Sequence, residues 1–147
     1  MKFLPTAVAM LIAVSATTAQ AEVLAVCTSP KGQSYYLSPE SGWTEDGITG
    51  GTATFLGDES GFNIIIKDAS GASFDMKSDG ATILANGIDA ERGSFTLTAI
   101  YRETPVVEVF QISTTSDGRR HLLWSSHKNA SLGGQVTKAS VFVADCQ

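Results

Sequence analysis

His121 and His127 are the only imidazoles in the 147-residue chain, and their spacing decides whether they can share a metal ion. Six residues apart on one straight strand, they would face the same side about 20 Å from each other, too far for a common ligand sphere. No His-x-His pair accompanies them, so neither a metal site nor a cofactor is expected. Asp75-Met76-Lys77-Ser78-Asp79-Gly80 places carboxylates first and fifth and glycine sixth, as a calcium loop begins. Lys77 stands where the third ligand belongs and Asn86 where a bidentate glutamate is needed, so the segment reads as a tight turn.

Hydrolytic signatures are equally thin. A Gly-x-Ser-x-Gly nucleophile elbow and a His-Glu-x-x-His helix are both absent. Serine and threonine are so frequent that none is singled out as a nucleophile. Glu45, Asp46, Asp58, Glu59 and Glu108 could supply a carboxylate pair for glycoside hydrolysis, a chemistry set by a separation in space. No catalytic residue is assigned, and the chain is read as a binding protein and not an enzyme, with a small periplasmic hydrolase as the alternative. Among the aromatic residues, Trp43 lies in a glycine-containing stretch expected to be a loop, where binding residues concentrate on β scaffolds. Trp43, Tyr35 and Trp124 are therefore the candidate contacts for a ligand or partner. Tyr35 and Tyr36, adjacent on a strand, point to opposite faces.

The compartment follows from the chain's ends. Lys2 precedes an apolar run from Phe3 to Ala16, and Ala19-Gln20-Ala21 fits a small-x-small cleavage site, so residues 1–21 read as a signal peptide. Thr17, Thr18, Gln20 and Glu22 cut the run short of a membrane span, and no stable membrane insertion is expected. Residues 22–147 then form one periplasmic or extracellular domain. Cys27 and Cys146, near its two ends, are expected to be disulfide-bonded. Leu24-Ala25-Val26-Cys27 superficially matches a lipobox, but branched Val26 stands where a small residue is required. The net charge of −5 becomes −6 once Lys2 is removed with the leader, and nucleic acid is excluded as a partner. The partner is a protein or a small ligand that the sequence does not name, nor does it set the oligomeric state.

These residues must be positioned by strands. Phe62, Ile64 and Ile66, then Phe74 and Met76, then Phe95, Leu97, Ala99 and Tyr101 alternate with polar residues at period two. Further strands are expected at Val23–Thr28, Gln33–Leu37, Gly51–Leu56, Ala81–Ala85, Val106–Ser113, His121–Ser126 and Val136–Ala144. Turn signals separate them, among them Asn86-Gly87 and Asp117-Gly118. Ser38–Ile48 and His127–Gly134 read as loops, the second containing the sequon Asn129-Ala130-Ser131. The fold class is all-β, an antiparallel meander closing as a small β-barrel, with a β-sandwich as the alternative. The disulfide favours the barrel, whose first and last strands are neighbours.

The leader, the cysteine near the new N-terminus and the ending Lys138–Cys146 resemble small exported proteobacterial β-domain proteins, a resemblance that implies no activity. Ser70-Gly71-Ala72-Ser73-Phe74 with Gly80-Ala81 resembles the Ser-Gly-x-x-Tyr segment of periplasmic C-type lysozyme inhibitors. That resemblance implies an inhibitor whose serine enters a host or competitor enzyme. Phe74 stands in place of the tyrosine, and the following tryptophan is missing.

Overall fold

The computed structural model describes residues 21–38, 40–129 and 136–147. The expected leader through Gln20, and residues 130–135, which hold the rest of the sequon and of the second expected loop, lie outside the described residues. Ten strands are described: β1 (Glu22–Tyr36), β2 (Gly42–Gly47), β3 (Thr52–Asp58), β4 (Gly61–Lys67), β5 (Ser73–Asp75), β6 (Ala81–Asp89), β7 (Ser94–Tyr101), β8 (Val106–Thr114), β9 (Arg120–Lys128) and β10 (Lys138–Cys146). They form one antiparallel sheet in the order β5-β4-β3-β1-β10-β9-β8-β7-β6, with β2 added alongside β1. The sheet curls into a half-barrel in which β6 approaches β4 without a hydrogen-bonded ladder. The expected all-β meander is the fold adopted, and its first and last strands are neighbours.

Cys27 pairs with Cys146 in register across β1 and β10, and the two are disulfide-bonded. A cysteine held in this bond has no thiol left for acylation, in keeping with the rejection of the lipobox.

Four expected boundaries are corrected. Val23–Thr28 and Gln33–Leu37 are not separate strands but the two halves of β1, which continues through Ser29-Pro30. Its first half pairs with β3 and its second with β2. Pro30 has no N–H to donate. Ser29 adopts φ 48°, its N–H donates to Gly51 O at 2.8 Å, and Pro30 O accepts from Ile48 N at 2.9 Å. Between Thr28 and Lys31 the pairing with β10 gains one residue, a β-bulge, and a one-residue slip exchanges the two faces of a strand. Ala25 and Cys27 face inward before the bulge, and Ser34 and Tyr36 face inward after it.

The second correction concerns Ser38–Ile48. This stretch holds strand β2, whose backbone pairs from Gly42 to Gly47 with Tyr36 to Lys31, so Trp43 sits on a strand and not in a loop. Third, Asn86-Gly87 is absorbed into β6 as a register shift, and the strand runs on to Asp89. Fourth, β9 extends to Lys128, which places His127 on a strand.

Inward-facing residues stack in cross-strand rows. Phe142, Trp124, Phe110 and Leu97 are directly paired across β10, β9, β8 and β7, and Trp124 stacks on Phe110 with ring centroids 5.2 Å apart. Phe55 packs edge-on against Phe110 and Phe95 from the opposite wall, filling the space between the flanks. Arg120 ties those flanks together at the Cys146 end. Its Nη1 donates to Leu24 O on β1 and its Nη2 to Gly93 O in the β6–β7 turn, both at 2.9 Å.

Candidate functional site

The row next to the aromatic one is polar, and its position in the sequence ladder explains how. Ser34, Ser140, Ser126 and Glu108 are direct cross-strand partners over β1, β10, β9 and β8. All four are buried, Glu108 the least so at 6% exposed. Buried polar groups require partners. Ser34 Oγ donates to Asp46 Oδ2 on β2 at 2.5 Å and lies 2.6 Å from Ser140 Oγ. Because a carboxylate oxygen only accepts, the single Ser34 proton is used there, and Ser140 donates to Ser34. At the other end of the row Ser126 Oγ donates to Glu108 Oε1 at 2.7 Å.

The row is thus bounded by two carboxylates whose acidities diverge. Burial works against a charge on Asp46, but the hydrogen bonds from Ser34 and Lys138 outweigh it and hold the carboxyl below its ordinary value. Lys138 Nζ reaches Asp46 Oδ2 at 3.0 Å and lies over the Tyr36 ring. For Glu108 burial wins, and its carboxyl is pushed up despite Ser126, Lys128 and Lys138. The Trp124 indole also favours the ionised Glu108, though its Nε1 makes no hydrogen bond of good geometry.

Beyond Glu108 the half-barrel opens into a cleft of about 390 Å³. Ile48, Ile66, Phe74 and Met76 form one wall, and Tyr101 and Val106 the other. Glu108 and Trp124 form its inner end, with Lys128 and Asp79 also in the lining. A larger depression of about 790 Å³ runs along β1 and β2 past Lys31, Gln33 and Glu45. Its lining lacks large apolar side chains, whereas small-ligand sites are concave and mostly apolar with a few placed polar groups. The smaller cleft has that character.

The candidate contacts do not converge. Tyr35 and Trp43 are paired on the convex face, their rings edge-on at 5.4 Å, with Trp43 60% exposed. Trp124 is buried on the concave face and lines the cleft. His121 and His127 lie on the convex side of β9, where His121 Nδ1 meets Asp145 Oδ1 at 2.9 Å. Among the described residues no group of three or more His, Cys, Asp or Glu side chains could hold a metal. Asp75 serves its turn, accepting from Ser78 N and Asn63 Nδ2, and these bonds hold its carboxyl below the ordinary value. Ser70, in the segment that resembles a lysozyme inhibitor, donates to Asp68 Oδ1 at 2.7 Å, while Phe74 forms part of the cleft wall.

Glu108 was visible in the sequence only as one of five scattered carboxylates, and Ser34, Ser126, Ser140 and Lys138 were passed over. The available signal was a polar residue at an inward position of an otherwise apolar strand, as with Glu108 two residues before Phe110. Ser-x-x-Lys, expected to be absent from the chain, does occur once, at Ser125-Ser126-His127-Lys128. On a strand that spacing puts Ser125 and Lys128 on opposite faces, so it brings no nucleophile to the lysine.

No family model, no curated protein and no solved structure matches the chain. Among the described residues no helix is long and apolar enough to cross a membrane.

Proposed function

We propose that this chain is an exported binding protein that takes a small ligand with an apolar body into the open end of the half-barrel. One observation carries the reading: a cleft of about 390 Å³ with aliphatic and aromatic walls ends on a buried Glu108 and Trp124. Apolar walls supply affinity by removing ligand surface from water, and a small number of polar groups orient what enters. Export is supported by the leader pattern of residues 1–21 and by a disulfide, which persists in oxidising compartments such as the periplasm or the extracellular space.

Titration with the uncharged dye 1-anilinonaphthalene tests the binding reading. One saturable site is expected, and Phe74→Asp, which charges an exposed part of the wall, should weaken it at least about tenfold with little change in thermal stability. The competing dye sites are the convex face, where Leu123, Val141 and Val143 are exposed, and a cleft of about 400 Å³ lined by Leu24, Phe62, Ile88 and Phe95. Unchanged dye affinity in Phe74→Asp, or no saturation at all, would overturn the proposal.

A further inference from the structure

We propose that the ligand of this cleft carries a positive charge, as an alkyl or arylalkyl amine does, with its ammonium group seated near Glu108 and Asp79 and its apolar part against Ile48, Ile66 and Phe74. The inference rests on the binding reading above and adds the ligand's charge. Among the described residues lining the cleft, the ionisable groups are the carboxylates Glu108 and Asp79, the ammonium of Lys128 and the phenol of Tyr101. The second nearby ammonium, Lys138, is held by Asp46, which leaves that pair neutral. Asp75 lies just beyond the lining and adds to the negative field at Tyr101. Burial first, then the charges of Glu108, Asp79 and Asp75, push that phenol up to about 12.

The aromatic lining acts in the same sense. Tyr101 and Phe74 add two rings to the lining, and the negative face of an aromatic ring attracts a cation within about 6 Å of its centroid, whereas the faces of Trp124 are taken up by Phe110 and Phe142. A carboxylate ligand would have Lys128 as its only counter-charge and would meet two carboxylates. A neutral alcohol would gain the apolar contacts without the field. Burial pushes the Glu108 carboxyl up and so works against its charge, and an ammonium seated beside it would offset that cost, since electrostatic attraction strengthens away from water.

The test uses three probes of equal chain length, octylamine, octanol and octanoate, at neutral pH and moderate salt. Trp43→Phe leaves Trp124 as the only tryptophan, so its fluorescence reports the cleft, and calorimetry on the unmodified chain checks the same order. Octylamine is expected to bind roughly tenfold more tightly than octanol, with octanoate weakest. Glu108→Gln should bring the amine to within about threefold of the alcohol. Asp79→Asn, at an exposed position, should reduce the preference in the same direction without endangering the fold. Equal binding of amine and alcohol, or tightest binding of octanoate, overturns the charge assignment while leaving the binding reading in place. Saturable binding of none of the three overturns both.

Discussion

Glu108 and Asp46 sit at the two ends of one buried row, yet protonation acts on them in opposite senses. Asp46 is held below its ordinary value, so its contribution to stability is present above the unfolded-state value and is lost as the pH falls through the native one. Glu108 is held above its ordinary value, so the native chain keeps that proton to higher pH than the unfolded chain does. Its contribution is complete below the ordinary glutamate range and is lost as the pH climbs through the raised native value. The slope is at most about 1.4 kcal/mol per pH unit for one proton. Glu108→Gln keeps the shape and removes the titration. Relative to the unmodified chain, the variant should gain stability as the pH rises across that window, read from urea midpoints over a pH series. Asp46 titrates alike in both proteins and cancels from the difference. A difference that stays flat, or that moves in favour of glutamate as the pH rises, would falsify the buried-carboxyl account.

At the scale of elements, periodicity announced most of the sheet because alternating burial leaves its mark on each strand separately. Phe95, Leu97 and Ala99 read as one face of β7, and all three are buried. What periodicity does not carry is the relation between strands. The bulge at Ser29-Pro30 exchanges the faces of β1, so Tyr36 and not Tyr35 shares the inner side with Lys138, and a face count begun at Ala25 gives the wrong tyrosine. Strand β2 escaped for another reason. Gly42–Gly47 contains no aliphatic residue, and it is held by its backbone pairing with β1, the Trp43–Tyr35 contact and the inward bond from Ser34 to Asp46. The polar row escaped for the same reason as the bulge, since four residues separated in sequence become neighbours only through register. Arg120 is a further case, for its Asp-Gly-Arg-Arg setting reads as a wet hairpin end, whereas the guanidinium joins β1 to the β6–β7 turn. Arg120→Ala should lower stability by about 2 kcal/mol, given two bonds from a charged donor. Arg120→Lys should recover only part of that, because a compact ammonium does not reproduce a planar fork bridging two carbonyls. Chemical unfolding of the three proteins decides it, and an alanine variant within about 0.5 kcal/mol of the unmodified chain would count against the clasp.

Across the whole molecule, the sheet leaves β6 close to β4 without a ladder, so the flanks depend on core packing, Arg120 and the bond between first and last strands. The disulfide spans a sequence separation of 119 residues. On the loop-entropy account, closing a span of this length disfavours the unfolded chain by about 4–5 kcal/mol, an upper value since measured effects are often smaller. The bond's place in the fold separates stability from binding. Cys146 is paired with Arg120 at one end of β9, and Lys128, which lines the cleft, is at the other. Replacing both cysteines by serine should therefore lower the thermal midpoint by many degrees while leaving the folded cleft intact. Dye affinity, measured at a temperature below both transitions, should change by less than about twofold, an energy within the range of distant and independent sites. A disulfide-free chain that remains folded by circular dichroism but binds dye much more weakly would instead show that the bond positions the cleft walls through β1 and β3. In that case Cys27, paired with Ala53 and through it with Ile66 of the lining, would be the route by which the disulfide reaches the site.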